Sequence, residues 1–223
     1  MFSNFDWIYI YETLPRLIDG LYMTLLVSGV SIVLSLLIGL VGAYFRSGSI
    51  RVLSKIVVGY VEFIRGTPFL VQIFFIFYGL PNIGIVLSTF WSGVAALTLW
   101  ASAFHIESFR AGLATISSGV KDASASLGLR RWHHAAFIVL PIALRAALPS
   151  TLNTVVATLK NSAYLQTIGL AELTFVAVER NAYEFRTLEM FATICVIYLA
   201  CVLIVSALGH RLEHRLDRPY VRN

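Results

Sequence analysis

Two stretches of this chain carry residues whose type and spacing could do chemistry. In the first, Arg65-Gly66-Thr67-Pro68 interrupts the apolar run 52–80, with Gln72 one turn further on. Proline lacks an N–H and glycine weakens the helical ladder, so a helix is expected to break there. A helix broken inside protein exposes unpaired N–H and C=O groups that can hold a carboxylate and an ammonium, and Thr67 and Gln72 add neutral donors and acceptors. A proline kink that serves only packing is the alternative, and the residues alone favour it. Glu62 and Arg65 share a helical face, so mutual neutralisation at depth is preferred over contact with a ligand. Lys160, Asn161 and Ser162 close a later apolar run and add polar groups near its end.

The second stretch is polar and lies between apolar runs: Lys121-Asp122-Ala123-Ser124-Ala125-Ser126-Leu127-Gly128, followed by Ile138-Val139-Leu140-Pro141. Ser117 or Ser118 can cap a helix, and Asp122 falls in its first turns, where the helix dipole favours an acid. Ala123 to Ser126 present a narrow surface that another protein can approach closely, and Gly128 ends or bends the helix. Docking and a solvated loop with an incidental helix stand about level on these grounds. Other chemistry is sparse. The chain contains no G-x-x-x-x-G-K-[ST] phosphate loop, no HExxH and no GxSxG, which argues against ATP hydrolysis or a membrane-embedded enzyme. Cys195 and Cys201 lie in an apolar run without CxxC spacing, and His210 and His214 have no third ligand nearby. Helix filler and headgroup contact are preferred over a metal site.

The elements that must position these residues follow from composition. Hydrophobic residues make up 58% of the 223 and charged residues 13%, against roughly 25% charged in a soluble domain. The apolar material falls in runs near the ~20 residues a helix needs to cross a bilayer, without the alternation of barrel strands. An all-α polytopic membrane protein with about five transmembrane helices is expected, at 21–43, 52–80, 85–104, 135–159 and 188–209. The second would measure about 43 Å as one straight helix, longer than a ~30 Å hydrocarbon core requires, so it must tilt, break or begin in the interface. The first is too long for a signal-peptide core and is expected to stay as an anchor.

Flanking charge gives the orientation. Arg46, Arg51 and Lys55 follow the first run. Arg110, Lys121, Arg130 and Arg131 follow the third, and Arg211, Arg215, Arg218 and Arg222 the last. Asp6, Glu12, Asp19, Glu172, Glu179, Glu184 and Glu189 lie on the opposite side. The positive-inside rule puts the N-terminus outside and the C-terminus in the cytoplasm. The net charge of +5 is thereby mostly topology, and no nucleic-acid partner is expected. One membrane domain over about 20–210, with a cytoplasmic loop at 107–134, would sit between an extracytoplasmic segment 1–19 and a basic tail 211–223. A stand-alone carrier or channel would call for paired acids within the spans or repeated halves. Neither is present, Glu62 being the one acid well inside a span.

The spacing Asp122-Ala123-Ser124, Gly128, Ile138-Val139-Leu140-Pro141 resembles the E-A-A-x3-G-x9-I-x-L-P loop of importer-type ABC transporter permeases, with Asp for Glu and Ser for the second Ala. Tyr60-Val61-Glu62…Arg65-Gly66-Thr67-Pro68…Val71-Gln72 resembles a signature of that family's polar amino acid branch. So do Glu107…Arg110…Gly112, Ala146-Ala147-Leu148-Pro149, Leu159-Lys160-Asn161-Ser162 and Ile168-Gly169-Leu170-Ala171-Glu172-Leu173. The likeness covers nearly the whole chain. It implies a type I ABC importer permease fold in the bacterial cytoplasmic membrane, a non-enzymatic subunit without a cofactor, and transport of a polar amino acid driven by separate ATPase subunits. It also implies a second permease chain, identical or related, a periplasmic or extracellular solute-binding protein, and lipid around the spans. Asp122, Ala123, Ser124, Gly128, Ile138 and Pro141 would couple to the ATPase. Arg65, Gly66, Thr67, Gln72, Asn161 and Ser162 would lie along the substrate site, Asn161 standing where relatives commonly carry Asp.

Overall fold

The computed structural model describes residues 5–48 and 50–217. Regular structure among them is helical throughout. The first helix, α1 (Trp7–Ser47), starts at Asp6, whose carboxylate accepts the backbone N–H groups of Ile8 and Tyr9 at 3.1 Å each. It is longer than the expected run 21–43 because this cap carries the helix back through the N-terminal segment. Its packing is inverted relative to a soluble helix. Thr24, Ser28, Ser31, Ser35, Gly39 and Gly42 face inward, while Val33, Leu37 and Val41 are each more than half exposed. Lipid is as apolar as leucine, so close approach of small residues, rather than burial of large ones, holds such helices together.

The second expected span is two helices, α2 (Arg51–Gly66) and α3 (Phe69–Phe74), the latter running on through a wide turn, Phe75–Gly79, and a tight one, Leu80–Ile83. The two arms bend by 108° at the predicted glycine–proline break. α4 (Thr89–Ala114) follows, capped by Ser88. Its 26 residues span about 39 Å, enough to cross. α1, the stretch Trp132–Ile168 and the stretch Thr187–Leu216 each pass on both length and hydropathy, as does the bent pair taken together. α4 is less apolar because it is the central helix, with Ser92, Thr98, Ser102, His105 and Ser108 buried against its neighbours.

α5 (Ser118–Ser126) and α6 (Arg131–His134) form the connection to α7 (Leu140–Asn161), which is joined to α6 by a wide turn, Ala135–Val139, and prolonged by a tight one to Ile168. A short helix, α8 (Leu173–Glu184), precedes α9 (Thr187–Asp217). α8 lies in a segment where the sequence suggested only acidic residues. The end of the basic tail, including Arg218 and Arg222, lies outside the described residues.

Contacts fix the direction of each helix. Val27 packs beside Gly93, Gly39 beside His105 and Gly42 beside Ile106, so α1 and α4 run parallel. Gly112 meets Ala143 and Gly93 meets Leu165, so α7 runs the other way. Leu17 shares a cluster with Met190 and Ile194, and Gly209 packs on Leu152, so α9 runs with α1. Trp7 and the end of α9 are therefore on opposite faces. The charge bias makes the face with Arg46, Arg110 and α5 the cytoplasmic one.

Candidate functional site

The helix break has its own internal bracing. Thr67 and Pro68 adopt extended backbone, which leaves carbonyls of the last turn of α2 without helical donors. The side-chain amide of Gln72, itself buried, reaches back to supply them. Its Nε2 donates to the Ile64 carbonyl at 2.8 Å, and to the carbonyl and hydroxyl oxygens of Thr67 at 3.2 and 2.9 Å. The Thr67 hydroxyl in turn donates to the Phe63 carbonyl at 2.8 Å. Thr67 and Gln72 thus hold the opening, and Oε1 of Gln72 is buried with no hydrogen-bond partner among the described residues.

Aromatic rings tie this break to the rest of the bundle. The Arg65 guanidinium carbon sits 5.1 Å from the Phe104 ring centroid. Trp100 stands 4.6 Å from Phe104 and 5.8 Å from Phe69, and Phe69 meets Tyr164 edge-on at 6.0 Å. The expected pairing of Glu62 with Arg65 is not made. Arg65 leans across to α4 instead, and no ion pair joins the two among the described residues. Asn161 ends α7 half-buried and makes no hydrogen bond to the break among the described residues, whereas Tyr164 just beyond it does reach the break through Phe69. Ser162 faces inward, fully buried, and donates to the Leu159 carbonyl at 2.7 Å.

On the cytoplasmic side, Asp122 and Ala123 lie on α5. The helix closes through Leu127 N–H to the Ala123 carbonyl at 3.1 Å and Leu129 N–H to the Ser124 carbonyl at 3.2 Å. Gly128 lies between them with φ +68°, a left-handed conformation that favours glycine. Ser124 is buried, and its Oγ lies 2.7 Å from Nδ1 of His134 on α6. This contact was not foreseen from the sequence, since nine intervening positions hide a pair made only when the chain turns at Gly128. Leu127, 76% exposed, and Trp132 project outward. Half-buried Ile138 lies in the wide turn that precedes Pro141, where Leu140 N–H bonds to the Ala135 carbonyl. A wider turn relieves the clash a proline ring makes with the preceding turn.

Glu107, Arg110 and Gly112 join this region to the bundle. Arg46, at the end of α1, pairs with Glu107 at 2.6 Å, and Arg110 pairs with the same carboxylate at 3.0 Å. A Cβ on Gly112 would collide with the carbonyl oxygen of Ala143. Gly112→Ala should therefore push α4 from α7 and cost roughly 1–3 kcal/mol, read as a lower melting temperature of the purified subunit. An unchanged melting point would show that the two backbones can separate freely.

Glu172 closes the opposite end. Fully buried, it caps α8 by accepting from Thr174 N–H at 3.0 Å and Phe175 N–H at 2.8 Å. It also accepts from the Tyr198 hydroxyl at 2.9 Å, while the Leu173 N–H donates to Thr24 Oγ1 at 3.1 Å, so α1, α8 and α9 converge on one carboxylate. Glu172→Ala removes the cap and leaves the Tyr198 hydroxyl with Thr174 Oγ1 alone, and should cost roughly 1–3 kcal/mol. Glu172→Gln keeps an acceptor oxygen and should recover part of the lost melting temperature. Equal loss in both variants would contradict the capping role.

A bent pair among long apolar helices and a polar, glycine-closed helix at one end of the bundle are the build of a multi-pass membrane protein. Residues 35–218 match the family described as binding-protein-dependent transport system inner membrane component, and the chain belongs to that family. It is 34% identical over 215 residues to the glutamine transport system permease protein of Escherichia coli strain K12, covering 96% of this chain and 98% of the relative. A probable amino-acid ABC transporter permease of Vibrio harveyi is 34% identical over 222 residues, covering 98% of this chain and all of the relative. Among solved structures, a chain from an amino acid ABC transporter with histidines superposes with a TM-score of 0.87 at 33% identity, covering 94% of this chain and 98% of that one. This chain is a multi-pass inner-membrane permease subunit, and ATP hydrolysis and solute capture belong to separate partners of such systems.

Proposed function

We propose that this permease imports a polar amino acid, working as one of two permease chains between a solute-binding protein outside and ATPase subunits inside. The observation that carries the reading is the 108° break inside the second span, held open by Gln72 and flanked by Arg65. Irregular backbone is tolerated at membrane depth only where it is buried in protein or lines a path, and such breaks hold substrates in other transporters. Arg65, Gly66 and Asn161 face the path. Thr67, Gln72 and Ser162 shape it through the backbone. The similar proteins named for glutamine and crystallised with histidines support an amino acid as cargo, and uncharged Asn161 favours a neutral side chain.

α5, which carries Asp122 and Ala123, is the docking element for the ATPase together with exposed Leu127 just beyond it, while the Ser124–His134 contact passes its displacement to the wide turn at Ile138 and on to Pro141 and α7. ATP drives such a cycle only if the ATP-bound ATPase prefers one arrangement of the permease. Proteoliposomes containing the assembled transporter and labelled glutamine test the substrate, with each of the other amino acids as unlabelled competitor. A polar amino acid should compete most strongly. Uptake indifferent to every amino acid would contradict the reading.

A further inference from the structure

We propose that Glu62 and Arg65 form a clamp for the two charges common to all free α-amino acids, Arg65 taking the α-carboxylate and Glu62 the α-ammonium. The inference rests on the amino acid reading above and adds the means of recognition. Both residues are exposed on the last two turns of α2, immediately before the break. At this spacing their Cβ atoms are ~5–6 Å apart, close enough to serve one small zwitterion from both ends. The buried side of α2 is occupied by Val61 and Ile64 against Ala103 and Ile106 of α4, so the Glu62 face turns away from its own chain.

An acid and a base this close within a span would ordinarily neutralise each other, because an unpaired charge at membrane depth is costly. Here they do not. The guanidinium carbon of Arg65 lies over the Phe104 ring, and a ring contact leaves N–H groups able to grip a carboxylate. Glu62 makes no ion pair or hydrogen bond among the described residues. The neutral polar groups at the break are already engaged, since Thr67 and the Gln72 amide satisfy backbone carbonyls. The two charges on α2 are what the break offers to a zwitterion. Side-chain selection would then fall to the rings of Phe69, Trp100 and Tyr164, which continue the run of ring contacts from Phe104 beside Arg65.

The test uses the assembled transporter without its binding protein, and the amino acid it retains best from a panel of the twenty in labelled form. Competitors are that amino acid, its desamino acid and its decarboxylated amine (for glutamine, glutaramate and 4-aminobutanamide). Wild type should bind the amino acid at least about tenfold more tightly than either analogue, the range expected of one charge-assisted hydrogen bond. Glu62→Gln should lose roughly 10- to 100-fold affinity for the amino acid and little for the desamino acid, so that the preference between them disappears. Arg65→Gln should do the same for the amino acid against the amine. Equal weakening of amino acid and analogue, or no weakening, overturns the clamp while leaving the amino acid reading in place. If either variant fails to assemble, the wild-type comparison alone decides, because analogues that compete as well as the amino acid also overturn it. Wild type that retains none of the twenty overturns the clamp and leaves the amino acid reading to the uptake assay above.

Discussion

Gln72→Leu should reduce uptake by at least about tenfold and lower the melting temperature of the complex. The substitution keeps bulk and removes the only described donors to the Ile64 carbonyl and one to Thr67. Each of the two carbonyls left without a donor in a dry site costs about 1–3 kcal/mol, so the total is roughly 2–6 kcal/mol. Only 1.4 kcal/mol of it need fall on the transport-competent arrangement for a tenfold loss. Gln72→Glu is the sharper variant, because an ionised carboxylate has no N–H and would face two carbonyl oxygens. It should be at least as damaging as leucine. Wild-type uptake and melting in both variants would mean that the break is satisfied by water, and that Gln72 is incidental to it.

Gly128→Val should abolish ATP-driven uptake while the subunit still inserts and packs. Left-handed backbone costs a residue with a Cβ roughly 1–2 kcal/mol, and a β-branched side chain suffers most. Among the described residues, its two chain neighbours aside, no atom lies within 4 Å of the position a Cβ would take, so the bundle itself gives no reason for collapse. The strain falls on the turn that returns α5 to α6 and brings Ser124 to His134. Gly128→Asn, which tolerates this conformation, should retain most uptake. Loss in both variants would place the effect in side-chain bulk at the docking surface, and retention in both would remove Gly128 from the coupling mechanism.

The sequence disclosed this architecture unevenly, for physical reasons. Apolar runs and basic flanks are sufficient to read spans and orientation because lipid imposes both. The break at Gly66–Pro68 was legible because proline cannot be satisfied in a ladder, and Gly128 because helix ends favour glycine. The length of α1 was not, since an aspartate cap fifteen residues ahead of the apolar run 21–43 extends it to Trp7. α8 was hidden because, its own cap Glu172 apart, its stability comes from packing against Leu17 and Met190, contacts distant in sequence. Glu62 and Arg65 show the limit of helical spacing. Neighbours on one face are predicted to pair, yet a ring on another helix captures the arginine.

α4 carries the same lesson in composition. Its serines, threonines and His105 lower its hydropathy because the other helices, not lipid, surround it. Gly112 in turn reads as an ordinary helical glycine until Ala143 is seen against it. Small and polar residues in a span therefore report its position in the bundle, whereas large apolar ones report lipid.

The central claim is that separate ATPase subunits drive solute through this chain by way of α5. Proteoliposomes should be loaded with ATP and labelled amino acid uptake followed with the ATPase present, with it absent, and with it present against the Gly128→Val permease. Accumulation should require the ATPase and wild-type α5 together. Uptake that proceeds equally without the ATPase would contradict the claim and make the chain a stand-alone carrier.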